Sequence, residues 1–117
     1  MEEAAIREPR VTLRYFDGCP NWGTAYQRLN EALAETGFDE LTVALELVET
    51  PEEAERLRFA GSPTILLDGD DAFAGDTTEG FGLSCRVYRT PDGPEGSPTK
   101  EQLGEVLAAH LDGQETS

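Results

Sequence analysis

Positive charge is scarce in this chain. Lysine and arginine number 9 against 24 aspartates and glutamates, a formal net charge of −15, and Lys100 is the sole lysine. So acidic a surface repels phosphate backbones and anionic headgroups, which argues against nucleic acid and membrane surfaces as partners. Long apolar runs are missing too: no stretch approaches the roughly 20 residues that a helix needs to span a bilayer. The opening Met1-Glu2-Glu3-Ala4-Ala5 is acidic and lacks the apolar centre of a signal peptide, so a cytoplasmic location is the default expectation. In that reducing compartment the two cysteines, Cys19 and Cys85, are not expected to serve as a structural staple. Histidine occurs once, at His110, so no Cys/His cluster with ligand spacing exists. No metal or resident cofactor is expected, and His110 reads as a partly buried structural residue.

What the 117 residues do contain suffices for one domain with a proper core. It is organised around Tyr15-Phe16-Asp17-Gly18-Cys19-Pro20-Asn21-Trp22. This stretch reads as the end of a buried strand, a tight turn and the opening of a helix. A thiol at a helix N-terminus meets unpaired N–H groups and a partial positive charge, which favour the reactive thiolate. Pro20 suits the first helical position, and Gly18 lets the backbone turn sharply. Asp17 opposes the thiolate, so activation is expected to be modest, though its carboxylate is placed to tune or shuttle a proton. The plain alternative is that Cys19 is a small buried hydrophobe at a turn.

The domain is expected over residues 11–112, between a flexible lead-in at 1–10 and a flexible tail at 113–117. Val11-Thr12-Leu13-Arg14-Tyr15-Phe16 alternates as a strand, with Arg14 better suited to a rim than to a sheet centre. From Trp22, apolar residues recur at helical spacing through Ala25, Tyr26, Leu29, Ala32 and Leu33, and Gly37 stops the helix. Trp22 reads as core or as a wall of the site. Leu41, Val43, Leu45 and Leu47 make the apolar face of a second strand. Thr50-Pro51-Glu52-Glu53 is a capping box that opens a second helix, which stops at Gly61. Pro63-Thr64 leads into the apolar strand Ile65-Leu66-Leu67, and Asp68-Gly69 is a turn. Residues 70–83 read as a solvated acidic loop, whose carboxylates miss calcium-loop spacing because Ala72 and Phe73 stand where a ligand and a glycine belong. Ser84-Cys85-Arg86-Val87-Tyr88-Arg89 is a short edge strand. Ser97-Pro98 starts a last helix, which Gly113 ends.

The order is β-α-β-α-β-β-α, with a right-handed parallel crossover between the first two strands and an antiparallel final pair. This order, the cysteine turn and Gly61-Ser62-Pro63-Thr64 before an apolar strand together resemble the thioredoxin/glutaredoxin superfamily. The phrases Tyr15 to Trp22, Gly61 to Thr64 and Gly82-Leu83-Ser84-Cys85-Arg86-Val87-Tyr88-Arg89-Thr90-Pro91 are also similar to a group of small bacterial thioredoxin-like proteins, some of which resemble selenoproteins or alkylmercury lyases. The resemblance implies a three-layer thioredoxin-like α/β fold with a four-stranded mixed sheet and a glutaredoxin-like core. It implies a cis Ser62–Pro63 bond before the third strand, lying against Cys19. Gly18, Pro20, Trp22, Ser62, Pro63 and Thr64 would then line the substrate groove, with the Ser62 backbone open to an extended substrate strand. This chain departs from the usual Cys-x-x-Cys at Trp22, which stands in place of the second cysteine.

In that topology the fourth strand begins away from the site, which puts Cys85 on the order of 15 Å from Cys19. A disulfide needs Cα atoms within about 7 Å. Cys85 therefore reads as a buried strand residue, and a resolving role requires the loop at 70–83 to redirect the chain. The function that follows is a monothiol redox protein. Cys19 attacks a disulfide or peroxide, or carries glutathione as co-substrate, and its partner is a small thiol or a protein disulfide. Two other readings stand beside it. One is a binding or adaptor module that kept the fold and lost the chemistry. The other is soft-metal handling, mercury for example, by the two thiolates.

Overall fold

A computed structural model describes residues 10–38, 41–73, 83 and 85–115. Most of the lead-in, most of the acidic loop and the last two residues of the tail lie outside the described residues.

The alternating Val11–Tyr15 is strand β1. Helix α1 spans Trp22–Glu35, β2 spans Val43–Leu47, α2 spans Pro51–Leu57 and β3 spans Thr64–Leu67. A two-residue strand β4, Asp70–Asp71, follows, then a hairpin of β5 (Tyr88–Thr90) and β6 (Gly93–Glu95), and finally α3, Lys100–Glu115. The main sheet runs β2-β1-β3-β4. β1 pairs parallel with β2, antiparallel with β3, and β3 pairs antiparallel with β4. This mixed four-stranded sheet with its helices has the expected α/β architecture and is consistent with a thioredoxin-like fold.

One face of the sheet buries Val11, Leu13, Ile65 and Leu67 against Ala25, Leu29 and Leu33 of α1 and Leu103 and Leu107 of α3. A second, smaller core of Val48, Ala54 and Phe59 lies under α2, with Phe16, Leu57 and Leu83 packed against it. Because β2 is an edge strand, its apolar face is buried at Val43 and half open at Leu45 and Leu47. Arg14 is not at a rim but on the central strand. It is accommodated because Nε donates to Oε1 of Glu46, its direct cross-strand partner, at 2.6 Å. NH1 donates at 3.0 Å to the carbonyl of Leu57, which the end of α2 leaves without a helical partner.

Local chemistry explains the boundaries. Thr50 Oγ1 accepts from the Glu53 N–H at 3.0 Å while Glu53 Oε1 accepts from the Glu49 N–H at 2.8 Å, so the capping box forms. α2 ends earlier than Gly61: Arg58 takes the left-handed conformation that closes it. α1 ends in a Schellman motif, with Phe38 N–H donating to Leu33 O at 2.8 Å and Gly37, at φ +89, donating to Ala34 O. The last helix is capped by Thr99, not Ser97. Thr99 Oγ1 accepts from Gln102 N–H at 3.0 Å, and Gln102 Oε1 accepts from Thr99 N–H at 2.9 Å. Helical backbone runs through Gly113 to Glu115.

The fourth strand is the main departure from expectation. Asp68 and Gly69 both have positive φ, 53° and 89°, which makes a two-residue hairpin turn and brings Asp70–Asp71 back along β3. Residues 85–89 do not join the main sheet. Tyr88–Thr90 pairs with Gly93–Glu95 instead, and Cys85 makes a single parallel bridge with Ser62.

Candidate functional site

The site is built at the C-terminal ends of the parallel strands β1 and β2, where open α/β sheets place ligands. β1 ends at Tyr15, and the Cys19 N–H closes the following turn onto Phe16 O at 3.1 Å. A Cβ on Gly18 would stand 2.9 Å from the Phe16 ring, which would have to shift to admit it. Asp17 is exposed on the turn. A shallow groove of about 350 Å³ opens beside it, walled by Phe16, Gly18, Leu47, Val48 and Leu83.

α1 opens at Trp22 with Asn21 as N-cap, so Pro20 and Cys19 precede the helix and Pro20 is not its first residue. The Asn21 side chain makes no capping hydrogen bond. Trp22 stacks on Tyr15 with ring centroids 4.2 Å apart and forms a half-buried wall. Cys19 is only 2% exposed, and its Sγ lies 3.3 Å from the carbonyl oxygen of Ser62.

The Ser62–Pro63 peptide bond is cis, and Ser62, Pro63 and Thr64 are all buried. The expected open substrate edge at Ser62 is already occupied. Its carbonyl accepts the Cys19 thiol and also the Arg86 N–H at 2.9 Å, as the chain's own residues 85–86 lie along it. Ser62 Oγ is buried with no hydrogen-bond partner among the described residues.

Cys85 is not on the order of 15 Å away; its Sγ donates to Cys19 Sγ across 3.6 Å. Nor is it a buried strand residue, since it is exposed to solvent. The expectation failed because β4 takes the sheet position beside β3 that was assigned to the fourth strand, and residues 85–86 lie against Ser62 instead. Arg86 holds them there. Its side chain is 2% exposed and makes a bidentate pair with Asp71, NH1 to Oδ2 at 2.9 Å and NH2 to Oδ1 at 3.2 Å. NH1 also reaches Thr64 Oγ1 at 3.2 Å, and NH2 reaches Phe73 O at 2.6 Å. The guanidinium carbon sits 4.7 Å from the centre of the Tyr88 ring, and Tyr88 OH donates to Pro63 O. Gly61, at φ +119, permits the approach: a Cβ there would stand 3.0 Å from Arg86 Cβ.

Sequence reasoning missed Arg86 and Asp71. An arginine inside an apolar alternation, in a chain so poor in positive charge, was the available signal. Partial desolvation of the otherwise exposed thiol, then the hydrogen bond to Cys19 and the charge that Cys19 can carry, push the Cys85 thiol above its ordinary pKa. Two thiols so placed can close to a disulfide, whose S–S length of about 2.05 Å requires the sulfurs to move together by only about 1.5 Å. Among the described residues no group of three or more His, Cys, Asp or Glu converges as a metal site. No protein-family model, curated protein or solved structure matches this chain.

Proposed function

We propose that the protein is a thiol redox protein in which Cys19 works with Cys85, cycling between a dithiol and an intramolecular disulfide. The observation that carries this reading is the 3.6 Å between the two sulfurs. In a monothiol scheme the second sulfur must come from glutathione or another protein. Here Cys85 stands where that sulfur is needed, and glutathione becomes a substrate or reductant. Oxidation removes two electrons and two protons from the pair. A disulfide substrate takes them up to become two thiols, and a peroxide becomes an alcohol and water by way of a sulfenic acid. A peptide-binding module loses support, because the backbone edge it would use at Ser62 is filled by residues 85–86.

The test is intact mass and peptide mapping of the reduced protein after treatment with hydroxyethyl disulfide or hydrogen peroxide. The expected result is loss of two hydrogens and a Cys19–Cys85 cross-link, absent from Cys19→Ser and Cys85→Ser. Two free thiols after exhaustive treatment would defeat the proposal. The same sulfur–sulfur distance also favours a second reading, soft-metal handling, since the separation that argued against it is gone. Sub-stoichiometric mercuric ion that protects both thiols together from alkylation would support it.

A further inference from the structure

Resting on that redox reading, we infer that Cys85, not Cys19, is the sulfur that meets the external disulfide, and that Cys19 is the buried resolving thiol. The roles suggested by the turn at residues 15–22 are thereby exchanged. Displacement at a disulfide needs the attacking sulfur, the attacked sulfur and the leaving sulfur close to one line, so the attacking thiol must have open space in front of it. Cys19 is 2% exposed, capped by the Ser62 carbonyl at 3.3 Å and by Cys85 at 3.6 Å. An incoming disulfide cannot reach it unless residues 85–86 leave Ser62, and Arg86 is anchored by Asp71, Thr64 and Phe73. Cys85 is open to solvent on the outer side of the same pair.

Ionisation works against access here, and magnitudes decide between them. A thiol whose pKa is raised has less thiolate, but that thiolate is a better nucleophile. With a Brønsted coefficient of about 0.4–0.5, each unit of increase costs only about threefold in rate. Steric exclusion of the buried sulfur costs far more.

Cys85 thiolate attacks a disulfide RS–SR′, forming Cys85–S–S–R′ and releasing RS⁻. Cys19 thiolate then attacks Cys85 Sγ, closing the Cys19–Cys85 bond and releasing R′S⁻. The substrate gains two electrons and, from the two protein thiols, two protons. In the return direction a reductant thiol attacks Cys85 Sγ, the accessible end of the bond.

The experiment compares formation of the mixed disulfide with hydroxyethyl disulfide in Cys19→Ser and in Cys85→Ser, by intact mass. The Cys19→Ser protein, which retains Cys85, should react at least about tenfold faster. Native wild-type protein given a brief pulse of iodoacetamide should carry the label on Cys85, a readout that needs no substitution and stands if Cys19→Ser does not fold. Faster reaction or first labelling at Cys19 overturns the assignment. Absence of a Cys19–Cys85 bond in oxidised wild type, with a stable adduct on Cys85, would instead remove the redox pair and leave Cys85 as the entry thiol.

Discussion

The proton on Cys85 is retained by unequal influences: partial desolvation of the exposed thiol most, then the hydrogen bond to Cys19, then the charge Cys19 carries when ionised. A raised pKa in the folded protein means that the folded state keeps its proton longer than the unfolded chain, where a cysteine ionises near about 8.5. The resulting stability is fully present below that pH and is lost as pH rises through the folded value, because the unfolded chain then binds fewer protons. Thermal unfolding of the reduced protein should therefore show a midpoint that falls above pH about 8.5, with a shallower fall in Cys85→Ser. Equal slopes would mean that the thiol is not perturbed. Arg86 is the neighbouring residue on which the arrangement depends. Arg86→Met leaves Asp71 without its bidentate partner and strips donors from Thr64 Oγ1 and Phe73 O. Breaking a buried ion pair costs about 3–5 kcal/mol. Asp71 is 22% exposed, which points to the lower end, about 3 kcal/mol by urea unfolding.

Residues 85–86 lie against the site only because Gly61 lets them. Gly61→Ala places a methyl 3.0 Å from Arg86 Cβ and 3.3 Å from the Arg86 backbone nitrogen, neither of which can swing aside, at a φ of +119. The expected cost is about 2–3 kcal/mol, together with slower closure of the Cys19–Cys85 bond. Gly69→Ala is the control. It has φ +89 but nothing within 4 Å, so it should cost only about 1–2 kcal/mol and leave closure unchanged. If both variants close the disulfide alike, residues 85–86 are not held by the contact at Gly61. The contrast also shows what was legible beforehand. The Thr50–Glu53 box, the Gly37 stop and the Asp68-Gly69 turn were readable because each is a local bargain between a few adjacent backbone groups. β4 was not, since Asp70–Asp71 has no strand propensity and exists only because the turn returns it to β3. The place of Cys85 was unreadable for the same reason. It depends on one long-range bridge to Ser62 and one buried ion pair, and neither has a periodicity along the chain.

Closing the two sulfurs ties together residues 66 apart in sequence, most of the domain. In the chain-entropy treatment such a loop confines the unfolded state by roughly 4 kcal/mol. The oxidised protein should thus unfold at higher urea than the reduced protein, with an unfolding free energy larger by up to about 4 kcal/mol, and a lower midpoint would indicate a bond closed against the fold. The net charge of −15 acts at the same scale but on partners. Arg86, the arginine nearest the sulfurs in sequence, is buried and paired with Asp71, so it offers no outward charge. The turn presents Asp17, and Glu49 lies on the rim of the adjacent groove. An approaching disulfide therefore meets a negative field that low ionic strength leaves unscreened, with a Debye length of about 30 Å at 0.01 M against about 8 Å at 0.15 M. Electrostatic steering of this kind changes encounter rates by about 10-fold or more. Measured at low salt, the rate of exchange should fall from cationic cystamine, through neutral hydroxyethyl disulfide, to anionic oxidised glutathione. The spread should collapse as salt is added, with the glutathione rate rising and the cystamine rate falling. A glutathione rate that stays highest at every ionic strength would require a built anion-binding contact at the site, strong enough to overcome the charge of the whole molecule.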